Sequence, residues 1–279
     1  MSNSAQHGCS LPAVVLVSIL VLLSMCALFQ PRAGNFAAAP SPVPSQFSAI
    51  DGAEIAASTQ GGHFSGDHYD SLRVGPERVL FGSIDIAGRR ADNQQILDAA
   101  QNIFRTVGTE LFSRADMNEA EAMTELCIKL NLGIMEAAGG VRSCPAFVGC
   151  YHENFGTLCY TNAGHTPGLL RDGTDVVELA STGLPLGLFS HATWEAPTVA
   201  LEKGAVVLLV SRGVVEGESK DDKNPDPDFG LSRVKLHLQA DRSRAAQAFC
   251  VSILNEVGEF ASERADHKDY TALALLRTP

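Results

Sequence analysis

Positive charge is scarce in this chain of 279 residues. The sequence has 21 lysine and arginine residues against 32 aspartate and glutamate residues, so its formal net charge is −11 at pH 7. A protein with this excess of negative charge repels a phosphate backbone. We therefore expect no nucleic-acid partner.

Paired cysteine motifs are missing as well. The seven cysteines include no CxxC pair and follow no regular spacing, whereas disulfide frameworks usually show both an even count and a pattern. Cys127, Cys159 and Cys250 fall within apolar patterns. We expect buried, reduced thiols rather than a disulfide framework.

The first thirty residues contain no lysine, arginine, aspartate or glutamate. After a tail at 1–10, residues 11–29 form an apolar run of 19 residues. As a helix this run would span about 28 Å, close to the thickness of the hydrocarbon core of a bilayer. A secretory signal has a shorter apolar core and a basic start. We therefore predict a transmembrane anchor at 11–29, with export after cleavage near 37–39 as the alternative.

The only basic residue close to this run is Arg32, on its C-terminal side. Because basic residues tend to remain in the cytoplasm, we expect a single-pass protein of the inner (cytoplasmic) membrane with a cytoplasmic folded domain. Residues 30–46 are rich in proline, alanine and serine, which predicts a linker. Residues 47–279 then form one domain.

Hydrophobic periodicity predicts the secondary structure of this domain. Apolar residues recur at helical spacing in 96–107, 118–136 and 246–260, which predicts three helices. Short β-branched runs and turn residues predict strands at 79–88, 206–210 and 271–277, a hairpin turning at 153–156 and another turning at Asp172–Gly173. Because hairpins dominate, we expect mostly antiparallel sheets covered by helices, which is an α/β sandwich.

Four aspartates lie beside the ends of these apolar segments. Asp67 and Asp70 belong to the segment SGDHYD, Asp85 ends a predicted strand, and Asp269 precedes the last strand. Hard divalent cations bind carboxylate oxygens, and several aspartates at strand ends can converge on one ion. Each aspartate alone is also typical of a turn or a helix cap, so that alternative stays open.

Six segments, in the same order, resemble motifs of the PPM-type metal-dependent protein phosphatases, in their SpoIIE/RsbU-like bacterial branch. SGDHYD is similar to GGDYYD, SIDIAGR to GDVSGKG, YTNAGHTPGLLRDG to YANAGHPPPLLL..DG, STGLPLGLF to G.PLGL, LEKGAVVLLVSRGVVEG to L..GD.LLLYTDGVTEA, and HKDYTALAL to DDxTLL. The resemblance covers about residues 53–277. It implies a sandwich of two mostly antiparallel β-sheets flanked by helices.

The resemblance also implies a reaction, the hydrolysis of phosphoserine or phosphothreonine. In the family, two Mn²⁺ or Mg²⁺ ions bridged by an aspartate activate the attacking water. By position, Asp85 corresponds to the bridging aspartate, and Asp67 and Asp70 correspond to the first motif. Asp269 corresponds to the second aspartate of the last motif.

Two metal-ligand positions of the family carry the opposite charge in this chain. Arg212 stands where the motif TDG has its aspartate, and Lys268 stands where DDxT has its first aspartate. A cation within about 4 Å of a divalent ion is repelled by about 8 kcal/mol at an effective dielectric constant near 20. We therefore expect no normal binuclear centre, and we regard the retained aspartates as a vestigial metal site formed by Asp67, Asp70, Asp85 and Asp269.

Four basic residues are candidates for binding phosphate in place of the metal ions. Arg89 and Arg90 replace the Lys-Gly pair of the family motif, and they join Arg212 and Lys268. A fixed guanidinium binds a pair of phosphate oxygens well, and these cations could pair with Asp67, Asp85 and Asp269 in the place of the ions. The alternative is an inactive site whose charges pair internally.

These observations lead to three hypotheses of function. The first is a membrane-anchored phosphatase-fold protein that is catalytically impaired and binds a phosphorylated or unphosphorylated regulatory protein. In the relatives this partner is typically a STAS-type anti-sigma antagonist. The second is an active phosphatase with a rearranged or single-metal site built on Asp67, Asp70 and Asp85. The third is a non-catalytic structural domain.

Overall fold

The computed structural model describes residues 43–45, 47, 50–61, 66–114, 116–221, 226–261 and 269–278. The predicted anchor at 11–29 and Lys268 lie outside these residues and stay predictions. None of the helices in the described ranges has both the length and the hydropathy that a membrane crossing requires. Residues 43–45, predicted as part of the linker, form a strand that pairs with residues 57–59.

Two antiparallel sheets contain the strands of the described chain. The strands are β1 (Val43–Ser45), β2 (Ala53–Gln60), β3 (His68–Arg73), β4 (Arg78–Ile84), β5 (Ala146–His152), β6 (Thr157–Ala163), β7 (Gly168–Asp172), β8 (Asp175–Leu179), β9 (Thr198–Ala200), β10 (Val206–Val210) and β11 (Tyr270–Arg277). The six-stranded sheet has the order β1-β2-β11-β10-β7-β8, and the five-stranded sheet has the order β3-β4-β5-β6-β9.

Helices cover the outer faces of both sheets. They are α1 (Gln94–Phe112), α2 (Glu119–Ala137), the short α3 (Arg212–Val215), α4 (Gly230–Ala240) and α5 (Ala246–Phe260), and a 3-10 turn at Arg90–Asn93 precedes α1. Helices α1 and α2 pack through Phe104 and Leu126 on the five-stranded sheet. Helices α4 and α5 pack through Leu238 and Phe249 on the six-stranded sheet. Each such side chain contributes about 2 to 3 kcal/mol when it is fully buried.

Alternation along the strands decides which side chains lie between the two sheets. In β4, β5, β10 and β11 the odd-numbered apolar residues, such as Phe81, Phe147 and Leu209, pack in the core between the sheets. Their even-numbered neighbours, such as Leu80 and Leu208, pack outward against the helices. Odd-numbered residues just beyond the ends of these strands are therefore directed towards the space between the sheets.

The structure confirms the predicted sandwich and most of its elements. The predicted helices correspond to α1, α2 and α5, and the predicted hairpins correspond to the β5–β6 and β7–β8 pairs. Gly173 has a φ angle of 59°, the left-handed conformation that the second hairpin turn requires. The free thiols of Cys127, Cys159 and Cys250 are buried, as expected. Strand β3 and helix α4 were not predicted.

Candidate functional site

Five polar side chains lie at one end of the space between the sheets. Asp85 follows β4, Asp67 precedes β3, Ser211 follows β10, Asp269 precedes β11, and Thr271 lies at the start of β11. Side chains alternate between the two faces along a strand, and all five residues have odd numbers. Their side chains therefore lie on the faces that border the space between the sheets. The site is therefore built from both sheets, and its residues come from distant parts of the chain.

Hydrogen bonds connect four of these five residues, within the six-stranded sheet and across to the five-stranded sheet. The Ser211 amide donates to the Thr271 carbonyl at 2.9 Å, and the Thr271 amide donates to Ser211 Oγ at 3.1 Å. Thr271 Oγ1 donates to Asp67 Oδ2 at 3.4 Å, and the Asp67 carboxyl also bonds with the side chains of Ser211 and Asp85. Asp67 and Asp85 thus form a carboxyl pair, which we call the acid pair.

The acid pair holds a proton at neutral pH. Burial, together with the negative charge of Asp85 and the hydrogen bond with it, raises the pKa of Asp67 from 3.8 to about 8. The hydrogen bond with Ser211 acts in the opposite direction, and the charge of Asp269 adds a smaller increase. Two carboxylates in contact cannot both ionise cheaply, so a protonated Asp67 serves as the donor to Asp85.

Three glycines allow the backbone to approach these aspartates closely. A Cβ atom at Gly66 would lie 2.2 Å from the carbonyl oxygen of Ile86, and a Cβ atom at Gly61 would lie 2.3 Å from Asp269 Oδ1. A Cβ atom at Gly213 would lie 2.4 Å from the carbonyl oxygen of Asp269. Only glycine fits at such distances, so the glycine of SGDHYD is what brings Asp67 beside the segment that carries Asp85.

Asp70, the other aspartate of SGDHYD, does not join the acid pair. It lies on β3, and Arg105 of α1 holds it with two hydrogen bonds, from Nε at 2.7 Å and from Nη2 at 2.8 Å. The residue numbers of Asp67 and Asp70 differ by three, which is odd, so their side chains are directed to opposite faces of the sheet. The structure therefore places this predicted metal candidate in an ion pair with a helix.

The predicted phosphate-binding residues that the structure describes differ in their contacts. Arg89 is exposed and pairs with Asp92 at 3.3 Å. Arg90 is half-buried and donates from Nη1 to the carbonyl oxygen of Asp67 at 3.2 Å. Lys268 lies outside the described residues, so its prediction is not tested.

Arg212 departs from the expected pairing with the aspartates. Its Nε donates to Glu216 Oε1 at 2.6 Å, one turn further along, and two-thirds of its side chain is exposed. The hydrogen bond with Glu216 is the largest cause that raises the pKa of Arg212, and the charge of Asp85 is the smallest. The short helix α3 explains the difference, because it offers Arg212 a carboxylate at the i+4 position.

Two residues near the acid pair were not predicted as site residues. Arg142 donates to the Ala87 carbonyl and to Asn93 Oδ1 at 2.9 Å, so it supports the turn that follows Asp85. His165 is 5% exposed, and its Nδ1 lies 3.0 Å from both oxygens of Thr166, the hydroxyl and the carbonyl. Burial lowers the pKa of His165, so its ring is neutral at pH 7. The motif NAGH singles out His165, whereas no local pattern singles out Arg142.

Among the described residues, no three side chains of histidine, cysteine, aspartate or glutamate lie together so that they could hold one ion. A binuclear metal centre needs several carboxylates that surround two cations. The structure offers the contacting pair of Asp67 and Asp85, with Asp269 near enough to raise the pKa of Asp67. At the position of one expected ligand it has the exposed Arg212.

Similarity to known protein families covers most of this domain. The family described as Stage II sporulation protein E (SpoIIE) matches residues 84–279. Among curated proteins, none matches the chain.

Solved structures share the arrangement of sheets and helices. The RsbU and RsbW domains of a Mycobacterium tuberculosis protein are 21% identical with a TM-score of 0.64, over 82% of this chain and 62% of that chain. The PP2C phosphatase domain of SpoIIE from Bacillus subtilis, with a fragment of its regulatory domain, is 15% identical with a TM-score of 0.65, over 84% and 70%. The SiaA PP2C domain of Pseudomonas aeruginosa is 17% identical with a TM-score of 0.65, over 95% and 98%. At these identities the likeness shows the PP2C fold.

Proposed function

Because the chain belongs to the SpoIIE family and shares the fold of PP2C phosphatase domains, we propose that it recognises phosphorylated serine or threonine in a regulatory protein. We propose further that it hydrolyses the phosphate slowly or not at all. The partner is of the class that the family resemblance implies, a STAS-type anti-sigma antagonist. The solved relative that carries both RsbU and RsbW domains agrees with a regulatory protein partner.

The observation that carries this proposal is the composition of the site. Its described carboxylates include the contacting pair Asp67 and Asp85, in which burial and the charge of Asp85 raise the pKa of Asp67 to about 8. By the family resemblance, Arg212 stands where the motif has a metal-binding aspartate, and it pairs with Glu216. A metal-activated water needs a cation held by several ionised carboxylates. With these side chains the chemical step is weakened, while the scaffold that presents the site stays intact.

Guanidinium groups around the acid pair support recognition of phosphate. Arg90 contacts the Asp67 backbone, and Arg142 contacts the turn after Asp85. Arg89, which precedes Arg90, is exposed to solvent and pairs with Asp92. Protonation of Asp67 lowers the negative charge of the pair, and this reduces its repulsion of a phosphate dianion. Charge-assisted hydrogen bonds from arginine are the strongest contacts that proteins make to phosphate.

A second candidate function is a slow phosphatase that uses a single ion. The orientation of Arg212 towards Glu216 favours it, because the guanidinium is directed to its own helix rather than hydrogen-bonded to the acid pair. Under this alternative, Asp67 and Asp85 would hold one divalent cation with micromolar affinity, and the ion would supply an activated water. The two candidates differ in metal affinity and in turnover, so both can be measured on the same protein.

The decisive experiment restores the two missing ligands with the double change Arg212→Asp and Lys268→Asp. Calorimetric titration with Mn²⁺ should show no binding tighter than millimolar in the wild-type chain and micromolar binding in the double variant, with release of phosphate from a phosphoserine peptide. The matched control is Lys203→Asp with Arg244→Asp, which makes the same change of charge on exposed surface and should leave metal binding unchanged.

Each other outcome of this titration has a definite meaning. Micromolar Mn²⁺ binding and turnover by the wild-type chain would replace the proposal with the single-ion phosphatase. A double variant that stays folded and binds no metal would show that Arg212 and Lys268 do not occupy ligand positions. If the wild-type chain retains no phosphoserine bait and shows no turnover, the remaining hypothesis is the non-catalytic structural domain.

We propose in addition that the domain acts at the inner membrane, held there by residues 11–29. The apolar run and the following linker support this placement. The full chain should sediment with membranes after washing with alkaline carbonate, and a variant that lacks residues 11–29 should stay in the supernatant. Release of the full chain by the wash would contradict the anchor.

A further inference from the structure

The connection between β8 and β9 has no formal charge and exposes two large apolar side chains. From residue 180 to residue 194 it contains no lysine, arginine, aspartate or glutamate, in a chain whose net charge is −11. Leu184 and Phe189 in this connection are 52% and 50% exposed, and Val141, which follows α2, is 71% exposed. We call these three residues the apolar patch. Exposed apolar side chains that lie together are typical of a surface that binds another protein.

Helix α2 and the segment after it bring two of these side chains to one area of the surface. Asn131 of α2 is buried, and its side chain accepts a hydrogen bond from the Gly187 amide at 2.7 Å and donates one to the Phe189 carbonyl at 3.0 Å. The Arg142 amide, directly after Val141, donates to the Gly187 carbonyl at 2.9 Å. Val141 and Phe189 therefore both lie close to Gly187.

The rest of the connection holds Leu184 beside them. The buried side chain of Trp194 donates from Nε1 to the Leu184 carbonyl at 2.7 Å. Two residues after Leu184, Leu186 is buried in the core and exchanges backbone hydrogen bonds with Cys144 at 2.9 and 3.1 Å. The apolar patch is thus exposed on an ordered backbone. Because little conformational freedom of the backbone remains to be lost when a partner covers the patch, this order favours binding.

Arg142 connects the apolar patch to the acid pair. Its backbone contacts Gly187, whereas its guanidinium donates to the Ala87 carbonyl and to Asn93 Oδ1 beside the turn after Asp85. The length of one arginine side chain therefore separates the patch from that turn. An extended chain advances about 3.3 Å per residue, so three to six residues cover about 10 to 20 Å. A peptide segment of this length can contact both places.

Charge indicates which segments fit the apolar patch. The excess of acidic residues in this chain repels a phosphorylated, negatively charged partner. The connection at 180–194 has no carboxylate, and on the side of the acid pair it meets Arg142, so this repulsion is reduced here. Lysine or arginine in a docking segment would instead approach the guanidinium groups of Arg142 and Arg89, and like charges that meet across an interface are unfavourable.

We propose that the apolar patch docks an uncharged apolar segment of the regulatory partner, three to six residues away from its phosphorylated serine or threonine. This inference rests on the proposed function, because it assumes that the phosphorylated residue lies at the acid pair. It adds a second determinant of specificity. The phosphate contacts are common to all phosphoproteins, whereas burial of apolar side chains on the patch distinguishes a partner that has them from one that does not.

Four fluorescent peptides separate docking on the patch from recognition of phosphate. Each has a central serine, spacers of about four glycines on both sides, and a flank of leucine, phenylalanine and leucine or of serine, glutamine and serine at both ends. Each flank is made with the central serine phosphorylated and unphosphorylated. Fluorescence anisotropy measures their affinity for the full chain in lipid nanodiscs, and empty nanodiscs measure their binding to lipid. We expect the apolar flanks to increase affinity at least fivefold, whether or not the serine is phosphorylated.

A double variant locates the binding of the apolar flanks. Leu184→Ser with Phe189→Ser should abolish the preference for apolar flanks. The matched control is Leu236→Ser with Phe155→Ser, which removes the same two types of side chain from exposed positions on α4 and at the turn between β5 and β6, and it should keep the preference. All four positions are at least half exposed, and thermal melts establish that both double variants are folded.

Each outcome separates the patch from the proposed function. Equal affinities for the two flanks in the wild-type chain, or an unchanged preference in the Leu184→Ser and Phe189→Ser variant, would overturn docking on the patch even if phosphorylation increases affinity. A preference for apolar flanks without any effect of phosphorylation would support the patch and contradict the proposed recognition of phosphoserine. A dimer of the full chain in detergent that this double variant loses would assign the patch to a second copy, and would overturn the proposal.

Discussion

The carboxyl groups on the two faces of strand β3 have neighbours of opposite charge. On the face between the sheets, Asp67 at the start of the strand meets a second carboxyl group, and Tyr69 packs against the inner core. On the helix face, Asp70 meets the guanidinium of Arg105, and Leu72 packs under the helices. One motif thus supplies one carboxyl group that is kept near like charge and another that is neutralised by an ion pair.

Residues of one sequence motif can therefore belong to different sites in the structure. Asp67 and Asp70 are close in sequence, but their residue numbers differ by three, so their side chains lie on opposite faces of the strand. Like charges in contact destabilise the folded state, whereas a bidentate ion pair with arginine stabilises it modestly. Substitutions at the two positions should therefore have effects of opposite sign.

The largest effect on the free energy of unfolding is expected from Asp67→Asn. This change concerns only the face between the sheets, and its effect depends on pH. The ordinary pKa of 3.8 holds in the unfolded chain, whereas the folded value is about 8. Protonation of Asp67 therefore contributes stability that is fully present below pH 4 and is lost as pH rises through about 8. Because each unit of pKa shift corresponds to about 1.4 kcal/mol, Asp67→Asn should gain on the order of 5 kcal/mol relative to the wild type between pH 4 and pH 8.

The measurement is chemical denaturation across this pH range in a metal-free buffer with a chelator. Asp92→Asn, at an exposed position, is the control and should run parallel to the wild type. If Asp67→Asn also runs parallel to the wild type, then Asp67 is not buried against Asp85.

The second-largest effect is expected from Gly66→Ala, which disturbs both faces at once. The added Cβ atom would lie 2.2 Å from the backbone oxygen of Ile86, and a backbone atom cannot rotate out of the way. We expect the free energy of unfolding to fall by about 3 kcal/mol in urea denaturation. Ser71→Ala on the same strand serves as control and should change it by less than about 0.5 kcal/mol. A cost below about 1 kcal/mol for Gly66→Ala would contradict the close approach.

Asp70→Asn, on the helix face, should have a smaller effect, opposite in sign to that of Asp67→Asn. The change removes the charge that Arg105 contacts through two hydrogen bonds, so the free energy of unfolding should fall by about 1 kcal/mol. A double-mutant cycle with Arg105→Ala should give a coupling energy of similar size. A stabilising Asp70→Asn, or a coupling energy near zero, would remove the contrast between the two faces.

The smallest effect is expected from Arg212→Ala. Arg212 and Glu216 are two-thirds and nearly half exposed, so their ion pair should contribute less than about 0.5 kcal/mol to stability. An arginine that neutralised the acid pair would behave differently, since its loss would leave buried carboxylates without a counter-charge. A cost of more than about 2 kcal/mol for Arg212→Ala would thus show that this guanidinium reaches Asp67 or Asp85.

Much of the fold could be predicted because it depends on local apolar patterns. Helix α1 shows Ile96, Leu97 and Phe104 on one buried face, and strand β10 is a continuous buried run. Both patterns report burial directly, since their periods match the geometry of the element. The turn at Gly173 could be predicted for a similar reason, because few residues tolerate its backbone conformation.

Elements with weak apolar patterns were missed. Strand β3 reads HYDSLR, and all six of its residues are half-buried, so it has no clear alternation of apolar and polar residues. Helix α4 buries only Val234 and Leu238 and follows a loop rich in aspartate and proline. Without the bounds of β3, the different directions of Asp67 and Asp70 could not be worked out.

The predicted site residues fall into different settings in the structure, and their metal-binding and phosphate-binding roles stay predictions. Asp67, Asp85 and Asp269 lie near one another because each stands just beyond a strand at the same end of the sandwich, whereas Asp70 lies on the helix face. The direction of the Arg212 side chain could not be predicted, because it depends on whether Glu216 lies one helical turn away. Arg142 reaches the site from the segment between α2 and β5, and sequence position gives no sign of this contact.

Strand β11 lies in the middle of the six-stranded sheet, between β2 and β10, and it pairs Ala53 with Arg277 across most of the domain's length. Contacts of such long sequence separation slow folding, because a large loop must close before its contacts form. Asp269 and Thr271 join the site only through this strand. Asp67 and Asp85 are brought together by the neighbouring strands β3 and β4, whereas Asp269 reaches them only when this large loop has closed. We therefore expect the repulsion between Asp269 and the acid pair to accelerate unfolding more than it slows folding.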